Sequence, residues 1–213
     1  MSDALPEACK RQLITGIEQL ELSLSDEVID RLLEYLALLV KWNKAYNLTA
    51  VRDPVEMVHR HLLDSLSLLP YLDNKRMLDV GTGAGIPGLI IAIVKPDQPI
   101  TLLDSNGKKT RFLQNVKMQM GLNQVEVIQS RVENYSPEHL FDRIISRAFT
   151  ALDNMVNWCQ HLLTEDGAFL AMKGTYPEPN QKPLPPGWSV RNIQKIEVPF
   201  VNEERHLVTI DRS

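Results

Sequence analysis

The sequence predicts an open, doubly wound α/β fold with a mostly parallel sheet, a helical N-terminal extension and a C-terminal antiparallel hairpin. Residues 1–74 contain a single glycine and show helical periodicity. Strand-like and helix-like runs alternate between residues 75 and 173, which is typical of a parallel sheet covered on both faces. Two more strand-like runs follow a proline-rich connection at residues 176–186. We therefore expect a helical extension over residues 1–74 and a sheet domain over residues 75–213.

Two helix starts are predicted in the extension. Ser25 is a typical N-cap residue, and the acidic residues that follow it favour the positive end of a helix. Asp53 followed by Pro54 is a second capping signal. Each start precedes an apolar stripe at three-to-four spacing: Val28, Leu32, Leu36, Leu39 and Asn43, and then Val58, Leu62, Leu66 and Leu69. The first helix has a wide apolar face, which predicts packing on two sides.

The sheet elements follow in order along the chain. The predicted strands are residues 77–80, 100–104, 125–128, 144–146 and 168–173, and the predicted helices are residues 87–94, 108–120 and 151–163. The connection at residues 176–186 cannot form a helix because it holds Pro177, Pro179, Pro183, Pro185 and Pro186. The late strand-like runs, residues 188–198 and 206–211, predict an antiparallel hairpin added to the parallel sheet.

The overall charge argues mildly against a generic nucleic-acid-binding protein. The chain has 213 residues, with 23 basic and 27 acidic side chains and a net charge of −4, whereas such proteins usually carry a basic excess. The basic residues are clustered, however, and phosphate binding requires such clusters. One cluster surrounds Trp42 and Tyr46 and contains Lys41, Lys44, Arg52, His59, Arg60 and His61; the other contains Lys108, Lys109, Arg111 and Lys117. Either cluster could instead be a solvated helix face, and Trp42 could pack between extension and sheet.

Cysteine usage and hydropathy suggest a cytoplasmic protein. Cys9 and Cys159 lie far apart and form no CxxC pair, so we expect neither a disulfide scaffold nor a thiolate zinc site. His59 and His61 are two residues apart on a helix and do not face each other, so we expect no metal site there. We expect no signal peptide and no membrane-spanning helix, since no apolar run is long enough.

A glycine-rich turn is predicted between the first strand and the following helix. Gly81, Gly83, Gly85 and Gly88 lie within eight residues, whereas an ordinary tight turn needs only one or two glycines. Glycines allow a sharp turn and let a ligand approach the backbone closely. Asp104 ends the next strand, where open α/β sheets hold the hydroxyl groups of a ribose.

Asp79 favours one nucleoside ligand over another. Residues 83–88 match G-x-G-x-x-G, so NAD or FAD must be considered. A carboxylate two residues before Gly81 would repel a pyrophosphate. It would attract the ammonium and sulfonium groups of S-adenosyl-L-methionine, directly or through water. The pattern therefore predicts S-adenosyl-L-methionine as the cofactor.

The end of the fourth strand bears on the reaction. Its sequence, SRAF at residues 146–149, lacks the Asn/Asp-Pro-Pro-aromatic tetrad of methyltransferases that act on exocyclic amines. Methylation by an available lone pair, as on a ring nitrogen of guanine, remains and requires no general base. Arg147 could bind the cofactor carboxylate or an RNA phosphate, or be solvated. Phe149 could stack on a flipped base or pack in the core, and Lys173, which ends the fifth strand, could face the same cleft or solvent.

A family resemblance is carried by four segments: KWNKAYNLT at residues 41–49, RHLLDS at 60–65, DVGTG at 79–83 and SRAF at 146–149. These resemble the RsmG (GidB) family of bacterial 16S rRNA methyltransferases, and the similarity extends over residues 24–210. The resemblance implies a Rossmann-like, class I S-adenosylmethionine-dependent methyltransferase fold. It also implies methyl transfer to guanine-N7 in the 530 loop of 16S rRNA, as free RNA or in the small ribosomal subunit.

The resemblance also implies cofactor contacts, and two of them, Val132 and Glu133 after the third strand, rest on it alone. The full set of expected cofactor-binding residues is Asp79, Gly81, Gly83, Gly85, Ile86, Asp104, Val132, Glu133 and Arg147. The expected RNA-binding residues are Lys44, Arg52, Arg60, Arg147 and Lys173. No catalytic side chain is assigned. Two alternatives stay open: methylation of a small molecule or protein, and a cofactor-binding, ribosome-associated module without turnover.

Overall fold

The computed structural model describes residues 5–177 and 181–213 and is organised around one seven-stranded sheet. The strands are β1 Met77–Val80, β2 Ile100–Asp104, β3 Val125–Gln129, β4 Phe141–Arg147, β5 Leu163–Lys173, β6 Trp188–Ile196 and β7 Arg205–Arg212. Their spatial order is β3-β2-β1-β4-β5-β7-β6. The first five strands are parallel, and β7 lies antiparallel between β5 and β6. The strand order reverses between β1 and β4, the place where open α/β sheets bind ligands.

Helices cover both faces of this sheet, as the sequence predicts. They are α1 Glu7–Gln19, α2 Asp26–Tyr46, α3 Pro54–Met57, α4 Asp64–Leu66, α5 Gly88–Val94, α6 Gly107–Met120 and α7 Leu152–Cys159. A π-helical turn, Val58–Leu63, joins α3 to α4. The two predicted N-caps are confirmed: Ser25 accepts a hydrogen bond from the backbone N–H of Val28, and Asp53 accepts two from the first turn of α3.

The extension packs directly on the sheet. Apolar side chains of α1 to α4 share one core with α5, α6 and one face of the strands, while α7 covers the opposite face. Tyr35 of α2 is fully buried and donates a hydrogen bond from its hydroxyl to the carbonyl of Ala84, 2.8 Å away. This bond fastens the extension to the glycine-rich turn after β1. The division at residue 74 stays a prediction.

Several element bounds differ from the predicted ones. β5 begins at Leu163, five residues earlier than expected: Leu163 pairs with Phe141, and the polar run Thr164–Asp166, which breaks the apolar pattern, lies before the regular pairing with β4 resumes at Ala168. α7 ends at Cys159 and is followed by a 3-10 turn, Gln160–Leu162, so the predicted helix end at residue 163 is wrong. β4 begins at Phe141, three residues early, and β6 ends at Ile196, shortly before Pro199. The described part of the connection at residues 176–186 is not helical; Pro179 lies outside the described residues.

Candidate functional site

The turn after β1 requires glycine at specific positions. Gly81 has a φ of +68°, in the left-handed region that glycine occupies without steric cost. A Cβ added at Gly81 would lie 2.5 Å from the ring of Phe149, and one at Gly88 would lie 2.7 Å from Oδ2 of Asp79. The backbone therefore passes these side chains more closely than any residue with a Cβ could.

Two cavities meet at this turn, at the carboxyl ends of the strands. The first, here called the Arg147 pocket, has a volume of about 570 Å³, and its walls include Thr49, Asp64, Ile86, Arg147, Lys173 and Arg205. The second, the Asp104 pocket, has a volume of about 370 Å³, and its walls include Asp104, Ser130, Val132, Glu133, Phe149 and Trp158. Gly81 lines both pockets, so a ligand could extend from one to the other across the glycine-rich turn.

Asp104 projects into its pocket from the end of β2. Its Oδ1 accepts a hydrogen bond from the backbone N–H of Asn106 at 2.8 Å, and its Oδ2 accepts one from Gly83 at 3.0 Å. The Lys109 ammonium lies 3.6 Å from the same Oδ2. A carboxylate has about four lone-pair sites, so these contacts leave acceptor capacity for the hydroxyl groups of a ribose.

Asp79 has a different position from the one its predicted role requires. Its side chain is fully buried and contributes to the wall of neither pocket. Oδ2 accepts hydrogen bonds from the Thr82 hydroxyl at 2.6 Å and from the N–H of Gly88 at 2.8 Å. Burial raises the pKa of this carboxyl to about 7 although both hydrogen bonds favour the charged form. Of the two interactions predicted for Asp79, direct contact with a cofactor cation does not fit this geometry, in which Asp79 shapes the turn; an interaction through water stays a prediction.

The remaining expected cofactor residues divide between the two pockets. Val132 and Glu133 lie in a short 3-10 turn after β3 and line the Asp104 pocket, together with Phe149. Ile86 and Gly83 line the Arg147 pocket. Gly85 serves the turn itself, since a Cβ there would lie 2.4 Å from the Leu89 side chain.

Arg147 belongs to a network that the sequence does not reveal. Its Nη1 donates to the carbonyl of Arg60 at 2.7 Å and to Oδ2 of Asp64 at 3.1 Å. Asp64 is 1 % exposed, and its Oδ1 accepts a hydrogen bond from Nε of Arg205 at 2.9 Å. His61 packs beside this group; burial, and then the charge of Arg147, lower its pKa to about 4. One sequence signal could have indicated this network: Asp64 falls within the apolar stripe of residues 58–69, and a buried carboxylate normally has a partner.

Comparison with known proteins identifies the family. Residues 28–208 match the family model GidB, described as rRNA small subunit methyltransferase G. The chain belongs to this family. It is 54% identical to a ribosomal RNA small subunit methyltransferase G of Marinobacter nauticus, with 95% of this chain and 94% of that protein covered. It is 50% identical to one of Pseudomonas entomophila, with 100% and 99% covered. The predicted membership of the RsmG (GidB) family is confirmed.

Solved structures agree on the fold. A SAM-dependent methyltransferase from Aquifex aeolicus superposes with a TM-score of 0.56 at 16% identity, covering 80% of this chain and 96% of that one. TrmN from Thermus thermophilus gives a TM-score of 0.57 at 19% identity, covering 73% and 53%. At such low identity these similarities concern the fold alone. They confirm the predicted Rossmann-like, class I methyltransferase architecture.

For a GidB-family chain, the expected RNA-binding residues fall into two groups. Lys44 is exposed in the last turn of α2, and Lys173 reaches the Arg147 pocket, where its ammonium donates to the carbonyl of Thr150 at 2.6 Å. Arg52 instead binds the carbonyl of Asn43 and Oδ1 of Asn47, at the C-terminal end of α2. Arg60 forms ion pairs with Glu56 and Glu203 at 3.1 and 2.7 Å. Arg52 and Arg60 therefore have partners within the protein, as Lys44 and Lys173 also do.

The basic cluster near Trp42 carries less charge than expected. His59 and His61 are buried, and burial lowers the pKa of each, so neither adds positive charge at neutral pH. Including them in the cluster was wrong. Trp42 packs between Tyr46 of α2 and Phe112 of α6, with ring centroids 5.2 and 5.7 Å away, so it lies between extension and sheet domain as the packing interpretation predicts.

Metal and membrane features are absent from the described part of the chain. Over residues 5–177 and 181–213, no group of three or more His, Cys, Asp or Glu side chains is placed to hold a metal ion. No helix in those ranges combines the length and apolar character needed to cross a bilayer. Cys9 and Cys159 are both buried free thiols.

Proposed function

We propose that this chain transfers a methyl group from S-adenosyl-L-methionine to N7 of a guanosine in the 530 loop of 16S rRNA, in free RNA or in a small-subunit particle. The observation that carries this proposal is the family match over residues 28–208. The two pockets that meet at Gly81 support it, because they offer adjoining space for a nucleoside cofactor and a second ligand.

The cofactor assignment is supported by the donors and acceptors of the two pockets. We assign the adenosine part to the Asp104 pocket, where Asp104 offers a carboxylate to ribose hydroxyls and Val132, Glu133 and Phe149 form the wall. We assign the amino-acid part to the Arg147 pocket, whose guanidinium suits a carboxylate. Gly81 lies between them and lets the ligand approach the backbone.

The proposed reaction requires little acid–base catalysis from any side chain. When bound, S-adenosyl-L-methionine supplies a methyl group on a positively charged sulfur. Guanine N7 carries an available lone pair, so no proton must be removed before it attacks. The protein instead binds and aligns the reactants and keeps water away. Leu48, Ile86 and Met172 give the Arg147 pocket an apolar wall suited to that role.

Binding of the RNA is assigned to the cations around the Arg147 pocket. Lys109, Arg147, Lys173 and Arg205 line it, and arginine and lysine are the usual partners of phosphate oxygens. Lys44, exposed in the last turn of α2, is a further candidate for a phosphate contact. Arg52 and Arg60 stay candidates only if they exchange their present partners for RNA. We place the activity in the cytoplasm, where ribosomal subunits are present.

Borohydride–aniline scission tests the proposal, because it cleaves RNA at 7-methylguanosine. The 16S rRNA of cells lacking this protein should resist cleavage at one guanosine of the 530 loop, and the wild-type gene should restore cleavage. Purified protein should add one labelled methyl group per unmodified 16S rRNA or small-subunit particle. Cleavage that persists in the deletion strain would refute the proposal.

The same preparation separates the alternatives. Methylation of metabolites or peptides, with no transfer to rRNA or to particles, would favour a small-molecule or protein methyltransferase. Cofactor binding and association with particles, without any methylated product, would favour a non-catalytic module.

A further inference from the structure

One buried carboxylate lies between two guanidinium groups at the Arg147 pocket. Asp64, at the start of α4, is 1 % exposed. It accepts from Nη1 of Arg147, at the end of β4, and from Nε of Arg205, at the start of β7. Three parts of the chain that are far apart in sequence are thus joined by a single side chain on the pocket wall.

The contacts leave both arginines able to bind a ligand. Arginine has five N–H donors, and those described for Arg147 and Arg205 within the protein use only some of them. The two side chains are 26% and 22% exposed and both line the pocket. Asp64, which lines the same pocket, therefore contacts each guanidinium through one carboxylate oxygen and leaves other N–H donors of both arginines for a ligand.

We propose that Asp64 is a positioning residue that fixes Arg147 and Arg205 as a pair across the methyl-transfer pocket. This inference rests on the proposed function, because the free donors are taken to face the RNA and the cofactor. Arginine stays protonated in proteins, so loss of the Asp64 charge leaves two half-buried cations without their shared counter-ion. A neutral acceptor at this position is not equivalent.

The two arginines depend on Asp64 to different degrees. Arg147 is also held by the Arg60 carbonyl at 2.7 Å and packs beside His61. The other described bond of Arg205 goes to the carbonyl of Glu204, its own neighbour, which moves with it. Loss of Asp64 should therefore release Arg205 more than Arg147, and RNA binding should suffer more than cofactor binding.

The carboxylate also adjusts the charge of the pocket. Among the described residues that line it, Asp64 is the one acid beside Lys109, Arg147, Lys173 and Arg205. When N7 is methylated, its lone pair becomes the new bond to carbon while the carbon–sulfur bond breaks and leaves its electron pair on sulfur, so the positive charge moves onto guanine and no proton leaves. A pocket lined by four cations disfavours that charge, and Asp64 offsets part of the repulsion.

Asp64→Asn is the test variant, with Asp73→Asn as its matched control. Asp73 forms an ion pair with Arg143 at 2.6 Å, near the amino end of β4, whereas Arg147 ends that strand. The measurements are kcat and KM for unmodified small-subunit particles, the cofactor Kd by calorimetry, and the melting temperature. A spectroscopic readout follows the arginine Nε–H signals by nuclear magnetic resonance, with Arg205→Lys used to assign the signal of Arg205.

Asp64→Asn should raise KM for the particle by about tenfold or more, and change the cofactor Kd by less than about threefold. The Nε–H signal of Arg205, which the hydrogen bond to Asp64 should protect from exchange in the wild type, should disappear. The control Asp73→Asn should keep the wild-type KM and the Arg205 Nε–H signal, even if its melting temperature is lower. An unchanged KM, an intact Arg205 signal, or an equal KM change in the control would each overturn the inference.

A double-mutant cycle covers the case in which Asp64→Asn does not fold. Arg205→Gln and Asp64→Asn/Arg205→Gln both lack the Arg205 cation, which Asp64→Asn alone would leave unpaired. Because Arg147 keeps its bond to the Arg60 carbonyl, the inference requires the KM values of these two variants to agree within about threefold. A further large loss in the double variant would mean that Asp64 acts otherwise. If wild-type protein methylates no rRNA, the proposed function fails. In that case the Nε–H signal of Arg205 still decides whether Asp64 holds it.

Discussion

The carboxylate of Asp104 accepts a hydrogen bond from the backbone N–H of Gly83, with Oδ2 and N 3.0 Å apart. The end of β2 is thereby tied to the glycine-rich turn that follows β1. Asn106 fixes the other oxygen of the same carboxylate at 2.8 Å. The protein itself thus orients this side chain, so binding of a ribose does not include the entropic cost of ordering it.

Asp104→Ala should weaken cofactor binding. The substitution removes the acceptor proposed for the ribose hydroxyls and also frees the Gly83 N–H. Hydrogen bonds to a charged group contribute about 1.5–3 kcal/mol each, so the Kd for S-adenosyl-L-methionine should rise by about 10- to 100-fold. Calorimetric titration measures this, with the exposed Asp97→Ala as control. An unchanged titration curve would remove Asp104 from the cofactor site.

Gly81→Ala should also weaken cofactor binding. Adding Phe149→Ala to it should restore only part of the lost cofactor affinity. The added Cβ would lie 2.5 Å from the Phe149 ring, at a φ of +68°. Trimming Phe149 removes the clash, but a left-handed alanine still costs about 1–2 kcal/mol.

Gly121→Ala measures that backbone cost alone. Gly121 has a φ of +63° and nothing within 4 Å of the position its Cβ would take. It should lower the melting temperature without changing the cofactor Kd. If Gly81→Ala binds the cofactor as wild type does, the close approach at Gly81 does not matter for binding.

Local sequence signals predicted the fold well where one physical effect dominated. β1 and β2 have the predicted bounds because short apolar runs between polar turns mark buried parallel strands. The N-terminal half of β5 was missed because Glu165 and Asp166 are exposed there and break the apolar pattern. In that half, Leu163 pairs with Phe141 of β4, and the Arg212 side chain donates to the carbonyls of Thr164 and Glu165; neither contact leaves a trace in side-chain hydropathy.

The sequence predicted those parts of the site that lie at the ends of predicted strands, such as the glycine turn, Asp104 and Arg147. The contact between Asp64 and Arg205 was not predictable in this way, because the two residues are 141 positions apart and meet only through the fold. The charge on Asp79 was predicted from its residue type. Its interior position, with a pKa raised by burial, depends on α5 packing over it.

Charge reversal at Lys44 and at Arg52 should have different effects. Lys44→Glu should weaken RNA binding and reduce the slope of log K against log[salt] by about 0.7–0.9, as expected for one lost phosphate contact. Arg52→Glu should chiefly lower stability, by about 1 kcal/mol for each lost hydrogen bond to Asn43 and Asn47. Filter binding at several salt concentrations and thermal melting measure the two effects.

Lys10→Glu is the control for that comparison, since it changes the net charge equally but affects a residue paired with Asp30, in the acidic N-terminal part. It should leave RNA binding nearly unchanged. Equal loss of RNA affinity in all three variants would mean that net charge, and not position, decides binding. A changed cofactor Kd in Lys44→Glu would also contradict the assignment.

Asp79 should make the protein less stable as the pH rises towards neutrality. Its pKa is about 7 in the folded chain, above the ordinary value of 3.8. Between these values the folded state holds a proton that the unfolded state has lost. The stabilisation is therefore complete below about pH 4 and is lost as the pH rises through about 7. His61 acts in the opposite sense, because its folded pKa of about 4 lies below the ordinary 6.5.

The comparison with Asp79→Asn isolates the effect of Asp79, since His61 contributes equally to both proteins. The amide oxygen can still accept from Thr82 and Gly88, but it cannot titrate. The free energy of unfolding, measured in urea from about pH 4 to about pH 8, should fall for wild type relative to the variant. The surface variant Asp97→Asn should run parallel to wild type. Parallel curves for Asp79→Asn would show that the Asp79 carboxyl has the same pKa in the folded and unfolded chain.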